Sequence, residues 1–139
     1  MTTLDSFFDS YYRLRPANAT FSGLHAYDHR LPDWSPEGLD AAVDEMRRLH
    51  SAIGEVPADV SALRDVAVRD RDLARSFLEI QIAEMESLHF QRGNPSLALG
   101  EAVFGVISLI TRPFAPAAER ARALAARLDA IPGFLAGTP

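Results

Sequence analysis

Apolar residues along this chain recur at intervals of three and four, and no two-residue alternation runs long enough to predict a strand. The first such stretch predicts a helix from Thr3 to Leu14, with Phe7, Phe8, Tyr11, Tyr12 and Leu14 on a wide aromatic face. Thr2 can cap it, with Asp5 three residues on, and Asp5 and Asp9 suit its positive end. Pro16 disfavours helical geometry at Arg15 and stops the helix. Ala17 to Ser22 predicts a short helical turn closed by Gly23. A second helix starts at Ser35 as N-cap, with Pro36 at its first position, and runs to Ile53 with Leu39, Val43, Met46, His50 and Ile53 at helical spacing. Gly54 ends it, and Val56 to Val60 is a connector whose Asp59, or the following Ser61, can cap the next element.

A third helix is predicted from Ala62 to Phe90, on the order of 40 Å long. Its seam is Leu63, Val66, Asp70, Leu73, Phe77, Ile80 and Glu84. A second apolar line, Leu78, Ile82, Met85 and His89, covers only its C-terminal half. Gly93-Asn94-Pro95 stops it. The fourth helix, Ser96 to Thr111, is apolar around nearly its whole circumference, the mark of a buried helix, and should be the central hydrophobic element. The fifth runs from Pro116 to Ile131, with Leu124, Leu128 and Ile131 inward and Glu119, Arg120, Arg122 and Arg127 largely outward, until Pro132-Gly133 interrupts it. The fold class is therefore all-α: an irregular antiparallel bundle of about five helices in a single domain over residues 1–139, with one long central helix and one buried apolar helix.

Composition narrows the function. A net charge of −5 lacks the basic stripe that a nucleic-acid surface requires. The absence of cysteine removes disulfides and thiolate metal sites. All 14 basic residues are arginine, but they are spread over every segment, which favours genome composition over a guanidinium cluster. The start of the chain has no basic n-region. The longest apolar run, Leu97 to Ile110, holds Glu101 and is too short to span a bilayer. A cytoplasmic location is expected.

The stretch with no helical pattern, Phe21 to Ser35, is the densest in candidate chemistry. It holds His25, Asp28, Arg30, Asp33 and Trp34, the binding candidates. One reading is a peptide-binding rim that offers charges to a substrate. The other is a self-satisfied loop, in which His25 and Asp28 bond backbone, Arg30 pairs with Asp28 or Asp33, and Trp34 packs over a helix end. His25 and His29 are four apart, yet the zinc-peptidase pattern needs glutamate after the first histidine and here it is Ala26. No metal ligand and no catalytic residue is assigned. Asp70 and Glu84 are about 21 Å apart along a helix, too far to share a site, and ion pairs with arginines on facing helices are expected. Glu101 is expected to stabilise a helix end.

Phe7-Phe8-Asp9-Ser10-Tyr11-Tyr12, Arg15-Pro16-Ala17-Asn18-Ala19-Thr20, Gly23-Leu24-His25, Tyr27-Asp28-His29-Arg30-Leu31-Pro32-Asp33 and Ser35-Pro36 together resemble the start of a bacterial family catalogued as domain of unknown function 885. Arg112-Pro113-Phe114-Ala115-Pro116 and Ile131-Pro132-Gly133-Phe134-Leu135 agree with it. Members resemble helical zinc metallopeptidases several times longer than this chain, with a His-Glu-x-x-type zinc motif towards the C-terminus. No histidine here is followed by glutamate. The resemblance implies an N-terminal helical domain forming one wall of a substrate cleft, inactive alone, with zinc expected only in an absent C-terminal part. That part would be its partner. The alternative is a stand-alone helical interaction module that forms a homo-oligomer through exposed apolar surface, with neither nucleic acid nor membrane as partner.

Overall fold

The computed structural model describes residues 3–54 and 64–139. Among them are six helices and no strand: α1 Thr3–Leu14, α2 Pro16–Ser22, α3 Pro36–Ile53, α4 Val66–Glu86, α5 Pro95–Ile110 and α6 Ala117–Gly137. The fold is all-α, as the periodicity predicts. The caps expected at Thr2, Asp59 and Ser61, and the start of the third helix at Ala62 and Leu63, lie outside the described residues.

The start and stop signals act locally. Ser35 Oγ accepts from the Gly38 N–H at 3.0 Å, with Pro36 at the first turn of α3. Asp65 caps α4 by accepting from Ala67 N at 2.9 Å, and Asn94 caps α5 through Ser96 N at 3.1 Å. Gly23 ends α2 with φ of 92°, a left-handed conformation that favours glycine.

Three boundaries differ from expectation: α4 starts at Val66 behind an extended Asp65 N-cap rather than at Ala62, and two helix ends move. α4 stops at Glu86 rather than Phe90, because Ser87 turns extended and its hydroxyl accepts from His89 N at 3.1 Å. α6 continues through Pro132 to Gly137. Proline keeps a helical φ and forfeits only the bond to the Leu128 turn, where the side chain is exposed. The continued turn carries Phe134 to Trp34, with ring centroids 5.5 Å apart.

α3 and α4 pack antiparallel: Arg47 bonds Glu86, His50 meets Glu79 at 2.8 Å, and Arg75 donates to the Gly54 carbonyl at 2.7 Å. Their shared core is Leu39, Val43, Met46, Leu78 and Met85. Phe77 meets both Phe7 (6.0 Å) and Tyr11 (5.4 Å), and Arg15 feels the charge of Glu84. These contacts set α1 parallel to α4 and antiparallel to α3. The expected seam of the third helix is corrected. Leu73 and Ile80 are exposed, and the inward face is Ala74, Leu78, Gln81 and Met85.

α5 packs on α2 and α6. It is covered on one side only. Its small residues Ala98, Ala102, Gly105 and Ser108 face inward with Leu109, while Leu99, Val103, Ile107 and Ile110 remain 43–57% exposed. The expectation of a helix buried all round is thus corrected: small side chains permit close approach, and they hold the buried face.

Candidate functional site

The irregular stretch from Leu24 to Ser35 is held by a residue from the far end of the chain. Arg127 of α6 is fully buried, not outward. Its Nε donates to the Arg30 carbonyl at 3.1 Å. Nη1 donates to the Gly105 carbonyl at 2.6 Å and Ser108 Oγ at 2.9 Å. Nη2 reaches Thr20 Oγ1 at 2.6 Å and the carbonyls of Pro16 at 3.2 Å and Tyr27 at 3.4 Å. A planar guanidinium with five donors can join α2, the loop, α5 and α6 at one point, as a lysine could not. Burial lowers its pKa, and the charges of Asp28 and then Glu101 oppose that shift.

The polar chain continues outward. Thr20 Oγ1 donates to Asp28 Oδ1 at 2.6 Å, Asp28 Oδ2 meets His25 Nδ1 at 3.0 Å, and the His25 ring stacks on Phe114 at 3.8 Å. His25 and Asp28 therefore bond each other and Thr20, not the backbone. His29 is exposed. Among the described residues no three of His, Cys, Asp or Glu lie together in a way that could hold a metal ion.

Arg30, Asp33 and Trp34 face elsewhere. They line a cleft of about 210 Å³ with Arg13, Glu45 and Met85. Arg30 pairs with neither Asp28 nor Asp33. Its Nη2 donates to the Arg13 carbonyl at 3.0 Å, its guanidinium lies 4.7 Å from the Tyr27 ring centroid, and its Nε is buried with no partner among the described residues. Asp33 Oδ1 accepts from Ser35 N at 3.0 Å and Ser35 Oγ at 2.7 Å, which fixes the entry to α3. Opposite them, Glu45 accepts from Ser10 and Arg13. Burial alone would raise the Glu45 pKa, but those two bonds and the Arg13 charge outweigh it and hold the carboxyl below its ordinary value. Five candidate residues thus divide into a tether, buried Asp28 with exposed His25, and a cleft edge (Arg30, Asp33, Trp34).

The other singled-out carboxylates behave differently from expectation. Glu84 accepts from Gln81 Nε2 at 2.7 Å, and Asp70 has no ion pair among the described residues. Glu101 sits two turns into α5, beyond the reach of free N–H groups. Burial pushes its carboxyl up, against the pull of Arg15 and then Arg127.

A family described as "Bacterial protein of unknown function (DUF885)" matches residues 16–138, from the first residue of α2 to just past α6. The chain belongs to that family. No curated protein and no solved structure matches it. The DUF885 match spans every group that Arg127 bonds and begins after α1, so α1, with Arg13 of the cleft and the Ser10 that bonds Glu45, lies outside it. Sequence reasoning missed Arg127. The signal was its spacing: it lies three residues after the inward Leu124 and four before the inward Ile131, on the buried face of α6.

Proposed function

We propose that this DUF885 chain is the N-terminal helical scaffold of a metallopeptidase-like protein, forming one wall of a substrate cleft and carrying no catalytic zinc of its own. The observation that carries the reading is the α5 stripe of Leu99, Val103, Ile107 and Ile110, exposed on a helix whose only charge is Glu101. Helical faces of this kind are normally covered, and a further helical unit of the same protein would cover it. The cleft edge of Arg30, Asp33 and Trp34 supplies polar groups on a backbone held rigid by Arg127. The test is zinc content and peptide hydrolysis by the purified chain, with expected values at background. Stoichiometric zinc with turnover would overturn the reading.

The same stripe favours a second reading, a homo-oligomerisation module in which two copies bury α5 against α5. Light scattering with Ile107→Glu separates the two. A dimer that this substitution dissolves supports the module; a monomer that binds a hydrophobic dye through the stripe supports the scaffold.

A further inference from the structure

A second apolar surface lies between α1 and α4 and shares no lining residue with the cleft or with α5. α1 and α4, running parallel, leave a trough of about 650 Å³ between them. Leu4, Phe7, Phe8 and Tyr11 form one wall, and Leu73, Phe77 and Ile80 belong to the other. Phe7 and Phe77 close its floor edge to face, while Phe8, Leu73 and Ile80 are 50–61% exposed. The trough follows α1 for about 10 Å and α4 for about 15 Å, two to three turns of an α-helix. It is open along its length, as a groove for a helix is and an enclosed small-molecule pocket is not.

Charge selects the occupant. Asp70 is the one charged side chain in the lining, and it has no hydrogen bond or ion pair among the described residues. Since α1 and α4 run the same way, Asp70 lies at the end of the trough shared with Leu4. Asp5 and Asp9 are exposed on the flank of α1 next to Phe8, and Arg69 is the one basic residue on the α4 flank. Asp70 and Asp5 lie at that end with Arg69, and Asp9 lies nearer the Tyr11 end. Beyond the other end stands Arg15, whose guanidinium lies 5.5 Å from the Tyr11 ring centroid. A carboxylate in an apolar wall is stabilised by a cation that arrives with the apolar ligand.

The geometry points to an α1–α4 docking site for a short amphipathic helix with apolar anchors at i, i+4 and i+7 and a basic residue at the end that meets Asp70. This inference does not rest on the scaffold reading, which concerns α5.

The test uses the whole chain and three fluorescein-labelled helical peptides of roughly four turns. One has leucines at i, i+4 and i+7 with arginines at one end. The second replaces the arginines with glutamates, and the third replaces the leucines with serines. Fluorescence anisotropy should show the first binding at least tenfold more tightly than either control. Asp70→Asn should weaken it on the order of three- to tenfold and lessen its salt dependence. Leu73→Asp and Ile80→Asp, at exposed positions that leave the helical circular dichroism unchanged, should abolish binding. Equal binding of the arginine and glutamate peptides, binding that survives Leu73→Asp, or no binding at all would overturn the inference. So would a homodimer that Leu73→Asp dissolves, since the trough would then belong to a second copy.

Discussion

Replacing Arg127 with methionine removes the guanidinium while roughly keeping the volume of the side chain. Six acceptors lose a donor, but they do not lose equally. The Tyr27 carbonyl keeps Arg30 N at 3.2 Å, the Gly105 carbonyl keeps Ser108 Oγ at 3.1 Å, and the Pro16 carbonyl, at the first residue of α2, keeps its place in the helical ladder. The two hydroxyls still have acceptors of their own. Only the Arg30 carbonyl is left with no donor among the described residues, at about 1–3 kcal/mol. Asp28 also loses the cation that faces it, and a buried partner stripped of its counter-charge costs about 3–5 kcal/mol. The relief of no longer burying a guanidinium offsets part of both. The expected net loss is about 3–4 kcal/mol. Urea unfolding followed by Trp34, the only tryptophan, measures it, and thermal unfolding should shift by roughly 10–15 °C. Arg127→Lys, with three donors in place of five, should fall between. A methionine variant within about 1 kcal/mol of the parent would refute the reasoning, because it would mean that the buried charge costs as much as its bonds return.

The glycines give a paired prediction. Gly100→Ala should stabilise by about 0.5–1 kcal/mol, since an added Cβ meets nothing within 4 Å and the helix loses a flexible residue. Gly38→Ala should instead destabilise by roughly 1–3 kcal/mol, because its Cβ would collide with the Asp33 carboxyl and stand 2.7 Å from the Asp33 backbone oxygen. Glu101 titrates above its ordinary value in the fold, so the folded state holds a proton that the unfolded chain has released, and its stability contribution declines as pH rises through that window. Glu101→Gln should therefore be more stable than the parent at neutral pH and indistinguishable from it below the ordinary glutamate pKa, by urea midpoints across pH. Glu45 has the opposite sign: its contribution is present above the ordinary value and lost as pH falls through the depressed one, and Glu45→Gln should remove under about 1 kcal/mol at neutral pH. Phe134→Ala should red-shift Trp34 emission, whereas a helix ending at Ile131 would leave it unchanged.

Local signals were the most legible. Ser35-Pro36, Gly23, Gly54 and Asn94-Pro95 mark element ends because each acts on the nearest turn, and the buried face of α3 follows from its spacing. The faces of α4 and α5 were not legible in the same way. α4 has two candidate apolar lines, and the choice between them depends on where α3 and α1 lie, which no local pattern encodes. α5 is apolar on every side, so periodicity has no contrast to read; small residues at Ala98, Ala102, Gly105 and Ser108 were the available clue. Of the candidate site, the density of functional groups in Phe21–Ser35 was visible, but their partners were not. Asp28 bonds within its own neighbourhood, while the residue that organises the loop belongs to α6. A basic residue on an inward helical face is assigned outward on charge alone, and here its spacing was the better guide.

The reach of Arg127 has a temporal side. It bonds groups 97 to 111 positions earlier in the chain, including the carbonyls of Arg30 and Pro16. Until α6 is in place, the Arg30 carbonyl has no donor among the described residues, and the seven residues of α2 are too few to persist as a helix in isolation. The loop from Leu24 to Ser35 is thus expected to acquire its shape only once α6 has docked. Its ordering waits on a contact of very long sequence separation, which is slow to find and, once made, fixes four elements in one step.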